Sequence, residues 1–497
     1  MKKKLYAPSL LFAFCISFFS CKPIDDIVIK GVQQDWSVPL INTTFSVKDL
    51  LAKFDTLAYV RFTSDSTLVL HYNGSFFSRS SLDIFASFQN AIFPVTDTVM
   101  AVPVSLPSGV YVDSVITKSG SLVYAFSSPE PTTVHLTIPS LQKNGVVFDR
   151  TFSCDKTPLI QTLDMAGWAL VPRNDSIIII HDARNAAGKR LNLKGNAAFQ
   201  IQNFVFSFVR GYLGRDTFDI PQDVINFDFF KNLAAGDVKF ESPSLTVTLN
   251  NSYGVPVKSV IKVANFVTRD GSKLPLTSPL SAGVNINYPK LNEIGQSKQT
   301  VVVLDKTNSN LQDVISFKPV QLEYKIVGVM NPDNSAKTIG FLTDSSIYKL
   351  RVDVDLPVHL RANNFILRDT SALSLTDQPN ATYATFFITT ESTIPADLAV
   401  QGYFLGANNS VLDSLVVGKP LLVNGAPVDA NGYPTQSQTT QLSTSFSQAR
   451  LKNILGKTQK IAWAYNVATT GGGVKAARVT AKQTVNVHLG VSFGIQK

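Results

Sequence analysis

The chain has 497 residues and a formal net charge of +9, from 45 Lys and Arg against 36 Asp and Glu. Its basic residues are scattered, with no run of five or more, which argues against nucleic acid as a partner. Only five Glu and four Met occur, while Val, Thr, Phe, Ile, Tyr and Ser are plentiful, so strands rather than helices are expected. The fold class this predicts is all-β: two to three tandem β-sandwich domains with a few short helices.

The chain opens with Lys2, Lys3 and Lys4, then an apolar stretch from Leu5 to Phe19, then Ser20-Cys21. A charged start, a short apolar core and a small residue at the cut form the pattern of an export signal. The core is shorter than the about 20 apolar residues that a membrane span needs. Phe18-Phe19-Ser20-Cys21 resembles a lipobox, with Phe18 where Leu is usual. The resemblance implies a signal peptide over residues 1–20, cleavage before Cys21, and lipid (diacylglyceryl, with palmitate-type chains) on its sulfur. Two or three acyl chains hold a protein stably, so a membrane becomes the first expected partner. Cleavage removes three lysines and lowers the charge from +9 to +6. It also removes Cys15, and with Cys21 lipidated only Cys154 remains. A single thiol makes no internal disulfide, and Cys154 is expected as a small buried apolar residue.

Residues 21–34 read as a flexible tether. Lys22 followed by Asp25-Asp26 resembles the surface-export signal of Bacteroidota lipoproteins, interrupted by Pro23 and Ile24. The resemblance implies an outer-membrane, lipid-anchored and surface-exposed protein; a solvated linker explains the same composition. Ser46 with Asp49 three residues later predicts a short helix to Phe54. Alternating segments follow at Thr67–Tyr72, Ser121–Phe126, Thr133–Ile138 and Ser176–Ile180.

An internal repeat divides the rest. A strand, a Ser turn and a proline recur at Leu245–Pro256 and Thr385–Pro395. Gln296-Ser297 recurs at Gln436-Ser437, and Leu311–Ile315 at Leu451–Leu455. The offsets are 139, 140 and 140 residues, so the period is a whole domain. Expected domains are therefore an N-terminal β domain over 35–198, a central β-sandwich repeat over 199–355 and a C-terminal one over 356–497. Ser309 and Gln312 predict a capping box on the first copy's helix. Gly471-Gly472-Gly473 predicts a hairpin turn before a last strand pair over Val474–Phe493.

The stretch Ser244–Val257 resembles the strand-Asn-turn-Pro motif of late-embryogenesis-abundant (WHy-type) β-sandwich domains. The mature chain also resembles uncharacterised Bacteroidota lipoproteins at Asp35–Ile41, Gly211-Tyr212-Leu213-Gly214 and Val428–Gly432. That family implies an envelope location and no particular activity.

No HExxH, GxSxG, Walker loop or Cys/His cluster occurs in the sequence. No catalytic residue, metal site or cofactor is therefore expected. His135, His359 and His488 each sit in a Val-His-Leu triplet and are expected as exposed strand histidines. Asp353 and Asp355 share one strand face. They could serve a hydrolase or bind calcium, but a solvated face is the simpler reading. Asp followed by Ser or Thr precedes an apolar residue or Thr at Thr56, Ser66, Thr98, Ser114, Ser176 and Ser414. This resembles the O-glycosylation acceptor of exported Bacteroidota proteins, and it equally starts turns before strands.

The leading functional expectation is a non-enzymatic binding or structural module at the cell surface, with a protein or glycan ligand. The alternative is a periplasm-facing envelope or lipid-binding lipoprotein, with Phe199–Phe208 and Asp223–Phe230 lining an apolar groove. A hydrolase using Asp353 and Asp355 ranks last.

Overall fold

Leu245, Val247 and Leu249 alternate with threonines, and in strand Ser244–Asn251 these three and Asn251 are buried while the residues between them are half-buried. Period-two alternation of this kind turns one face of a strand inward. It recurs through the computed structural model, which describes residues 34–46, 60–75, 77–81, 92–103, 109–227, 230, 235–333, 335–377 and 379–495. The chain is nearly all β, with short α-helices at Leu311–Ser316 and Gln448–Ile454. The signal peptide, Cys21, Thr56 and the helix expected after Ser46 lie outside the described residues; Ser46 itself ends a strand.

A central sandwich forms from two six-stranded sheets. One orders Val60–Phe62, Leu68–Asn73, Ile347–Pro357, Ser244–Asn251 and Lys298–Leu304, with Phe77–Ser80 also on Ile347–Pro357. The other centres on Gln321–Met330 and Val257–Val267. Between them Phe218 meets Tyr348 edge-on at 5.2 Å, and the Tyr348 hydroxyl is 2.5 Å from Ser259 Oγ. Phe227 stacks on Phe266 and meets Tyr72 edge-on, all three buried. Phe227 and Phe230 thus belong to a closed core and not to a groove.

A C-terminal sandwich packs a four-stranded sheet on a seven-stranded one. The smaller sheet orders Gln34–Ser46, Thr484–Ile495, Ala381–Ser392 and Gln438–Ser447. The larger centres on His359–Ala372, Lys460–Thr469 and Ala396–Leu405. Trp463, Phe404 and Phe446 fill the space between them.

The two sandwiches share one plan. Val257–Val267 takes Lys273–Pro275 at its end and Val284–Ile286 at its start. Ala396–Leu405 takes Val411–Ser414 and Leu421–Val423 in the same way. The landmarks of the sequence repeat fall at equivalent places: Pro256 and Pro395 just before these strands, and the two helices before Gln321–Met330 and Lys460–Thr469.

Residues 92–212 build an eleven-stranded sheet completed by Gly340–Thr343 from the central repeat. Lys118 Nζ, 2.6 Å from Asp344 Oδ2, adds a second tie there.

Strand pairing crosses the boundaries expected from sequence. Gln34–Ser46 pairs along Thr484–Ile495, at the other end of the chain. Leu68–Asn73 pairs with Ile347–Pro357, and Ala235–Phe240 joins His359–Ala372. The domains are interleaved, because an early strand satisfies the open edge of a late sheet as well as a local one does.

Two local expectations also change. The helix at Leu311–Ser316 has Asn310 at its N-cap; Ser309 Oγ accepts from Leu311 N, while Gln312 donates to Phe240 O at 2.9 Å. Gln312 therefore ties the helix to a neighbouring strand and does not close a capping box. The three glycines at 471–473 all have positive φ, as a tight turn requires. They do not make a hairpin. Lys460–Thr469 and Ala477–Arg478 lie in succession along the same strand, His359–Ala372, so the turn belongs to a loop that leaves the sheet and returns.

Candidate functional site

Asp353 and Asp355 do share the outward face of Ile347–Pro357, but they are not simply solvated. Register sets His71 opposite Asp355 and Asn73 opposite Asp353. His71 Nδ1 lies 2.8 Å from Asp355 Oδ1, and its Nε2 lies 3.5 Å from Asp353 Oδ1. Arg61 Nη2 reaches Asp355 at 2.5 Å, and Arg351 Nη2 reaches Asp353 at 2.7 Å. Each carboxylate is 14% exposed and has its own guanidinium, with one imidazole between them. A hydrolytic pair needs one carboxyl free to deliver a proton. Here each carboxyl is engaged, the arrangement of an ion cluster that ties three strands together. Sequence reading found the two aspartates but missed Arg61 and His71, nearly 300 residues away, because only strand pairing brings them there.

The other histidines separate. His135, beside Asp149, and His488 are exposed, as expected. His359 is half-buried, with Nδ1 lacking a partner among the described residues. Burial first, then Arg478, pushes its pKa below the usual histidine value. It sits where the two sandwiches join. There the Tyr433 hydroxyl donates to Asp65 at 2.6 Å and the Arg478 guanidinium lies over the Tyr433 ring. Hydrogen bonds from Thr63, then Tyr433, hold the Asp65 carboxyl well below its usual range. His181 is buried in the N-terminal unit, which lowers its pKa. Among the described residues no group of three or more His, Cys, Asp or Glu could hold a metal ion. Cys154 is buried and free, and burial raises its pKa, so it acts as a core residue.

Of the six Asp-Ser/Thr positions, five are described, and all five are half-buried. Ser66 sits in a turn at φ 65°, and Ser176 begins a strand. Ser114 lies within Tyr111–Phe126 opposite Arg210. Thr98 N and Oγ1 both donate to Asp97. Ser414 Oγ donates to Val416 O at 2.8 Å, beside the Asp413–Arg450 ion pair. Ser66, Thr98 and Ser176 thus stand at turns or strand starts, whereas Ser114 lies within a strand and Ser414 ends one.

The N-terminal unit holds an apolar cavity of about 20 Å³, lined by residues including Phe93, Leu122, Met165 and Phe199. That is room for about one water and far short of an acyl chain. Phe199 therefore lines a packing defect and not a groove.

A different surface emerges on the C-terminal sandwich. Phe386-Phe387 places adjacent aromatic residues on a strand, so their side chains take opposite faces. Phe386 packs edge-on against Phe446, and Phe387 is 51% exposed in the middle of the four-stranded sheet. Its register neighbours are Gly490 and Ser443, whose small side chains leave the ring uncovered. The Phe-Phe pair was the available sequence signal for this feature.

No family model and no curated protein matches the chain. Among solved structures, it is similar to a Parabacteroides distasonis protein assigned as secreted, at TM-score 0.32 and 12% identity, covering 57% of this chain and 83% of that one. A protein of the infectious bursal disease virus Gx strain aligns at TM-score 0.15 and 9% identity, covering 79% and 75%. At these scores neither carries an argument. The WHy-type likeness stays a resemblance of one strand-turn motif. No helix among the described residues is long and apolar enough to cross a membrane, which says nothing of strands.

Proposed function

We propose that the chain is a lipid-anchored outer-membrane protein that works as a non-enzymatic binding or structural module at the cell surface. The observation that carries the reading is the Lys-rich apolar leader ending in Phe18-Phe19-Ser20-Cys21. The β-rich body supports it, since loops and faces of sandwiches are common recognition surfaces. Twelve residues separate Cys21 from Gln34, where the four-stranded sheet begins. They span at most about 45 Å. Anchorage at Cys21 would therefore hold the start of the four-stranded sheet within that distance of the membrane.

Metabolic labelling with an alkyne fatty acid tests the anchor. The wild-type chain should label and sediment with membranes, and Cys21→Ser should do neither. Equal labelling of both would sink the assignment. Protease shaving of intact cells, with a periplasmic marker as control, tests the side. Digestion with the marker intact supports surface display; protection until the outer membrane is opened supports the periplasm-facing alternative.

A further inference from the structure

We propose that the outward face of the four-stranded sheet in the C-terminal sandwich docks a soluble neutral polysaccharide. This deepens the binding-module reading and rests on it, but it does not depend on lipidation.

Charge is the first argument. The strands Gln34–Ser46, Ala381–Ser392, Gln438–Ser447 and Thr484–Ile495 contain no lysine or arginine. At the chain's average rate about four would be expected over that length. A face without cations gives no purchase to sulfated or uronic glycans, nucleic acid or anionic headgroups, all of which are held by Lys and Arg. Acidic side chains are nearly as scarce. Glu391 is the one acid in Ala381–Ser392, and it already accepts from Ser437 Oγ at 2.9 Å and Asn486 Nδ2 at 3.4 Å.

Hydroxyl and amide density is the second argument. The row beside Phe387 sets Asn42, His488, Thr389 and Gln441 across the four strands, and the next sets Thr44, Asn486, Glu391 and Thr439. On the other side Thr385 Oγ1 and Ser445 Oγ share a hydrogen bond of 2.9 Å. Thr44 Oγ1 donates to Asn486 Oδ1 at 2.6 Å. Such contacts hold the groups in place before any ligand arrives, which lowers the ordering cost of binding. A sheet face of mostly neutral donors and acceptors complements a ligand that is itself rich in hydroxyls.

Phe387 is the third. Its ring is half exposed at the centre of the array and flanked by Gly490 and Ser443. An open aromatic face offers an apolar platform for the C–H face of a sugar ring, while the polar rows bond its edges. The central sandwich lacks this feature: its outward face carries Arg61, Arg351, Asp353 and Asp355.

Affinity gel electrophoresis of the chain from residue 21 onwards tests the proposal, in gels cast with soluble glucan, mannan, xylan or galactan, and with heparin or polygalacturonate as charged controls. At least one neutral gel should retard it, with dissociation constants raised about tenfold or more by Phe387→Ala and by Ser443→Lys. Both sites are exposed, so thermal midpoints should hold, and Arg351→Ala on the central sandwich should leave retardation unchanged. Retardation by neutral glycan that neither variant weakens would overturn the site while leaving the binding-module reading. Retardation by the charged glycans alone, or by none, overturns the proposal. Dimerisation through Phe387, seen as a Ser443→Lys-sensitive mass change by light scattering with no retardation, would assign the face to a second copy instead.

Discussion

At one point of the central sandwich Thr246 lies between Asp353 and Val303; at the corresponding point of the C-terminal sandwich Phe387 lies between Gly490 and Ser443. Both positions stand five residues before the last residue of their strand. Inward, the two sandwiches follow the same rule: apolar side chains alternate toward the core of each sandwich. Outward, the constraint lapses. One face carries an ion cluster that fastens an N-terminal strand. The other carries few charges and an exposed ring. Common architecture therefore says little about common function, since the core fixes one face of each strand and leaves the other free.

The largest expected effect separates the two cores. Trp463 and Tyr324 occupy equivalent strands 139 residues apart, both buried. Trp463→Ala should cost about 3–5 kcal/mol. Calorimetry should show the C-terminal sandwich melting earlier while the central transition holds. A uniform shift of all melting would mean that the sandwiches unfold as one unit.

Next comes the ion cluster. Asp355→Asn leaves Arg61 without its carboxylate and His71 with Asp353 alone, and should cost about 1–3 kcal/mol, read from the denaturant midpoint. Asn486→Ala, on the equivalent strand of the neutral face, should change stability by about 0.5 kcal/mol or less. Similar losses from both would erase the contrast between an outer face that fastens strands and one that does not.

Acid should act on buried His181 and half-buried His359. Burial lowers the folded-state pKa of His181 and His359 below the about 6.5 of an unfolded chain. The unfolded chain then binds more protons, so their contribution is complete above about pH 6.5 and falls as pH drops toward the folded-state values. His181→Gln should flatten that slope for the N-terminal unit, and His359→Gln for the junction of the sandwiches. An unchanged slope in both variants would remove these groups from the account.

A smaller effect than that of Asp355→Asn is expected at the same junction. Tyr433→Phe removes the hydroxyl that donates to Asp65 and should cost about 0.5–1.5 kcal/mol. Limited proteolysis between the sandwiches, faster in the variant, would localise the loss there.

Local chemistry alone made several features legible. The β-branched and aromatic composition announced strands. The recurring Ser turn, proline and Leu-led helix announced two copies of one unit, and the isolated Cys154 announced a core thiol. These are properties of neighbouring residues, and alternation along a strand is enough to reveal which face turns inward. Pairing partners were not legible. Nothing near Gln34–Ser46 says that it will lie along Thr484–Ile495, and nothing near Asp355 says that Arg61 and His71 will reach it. A strand's backbone hydrogen bonds can be met by any compatible edge, so the choice belongs to the assembled sheets. The sequence by itself determined the strands, their inward faces and their period. Only the tertiary structure decided which distant strands share a sheet, and so which outward side chains stand together as a cluster or a platform.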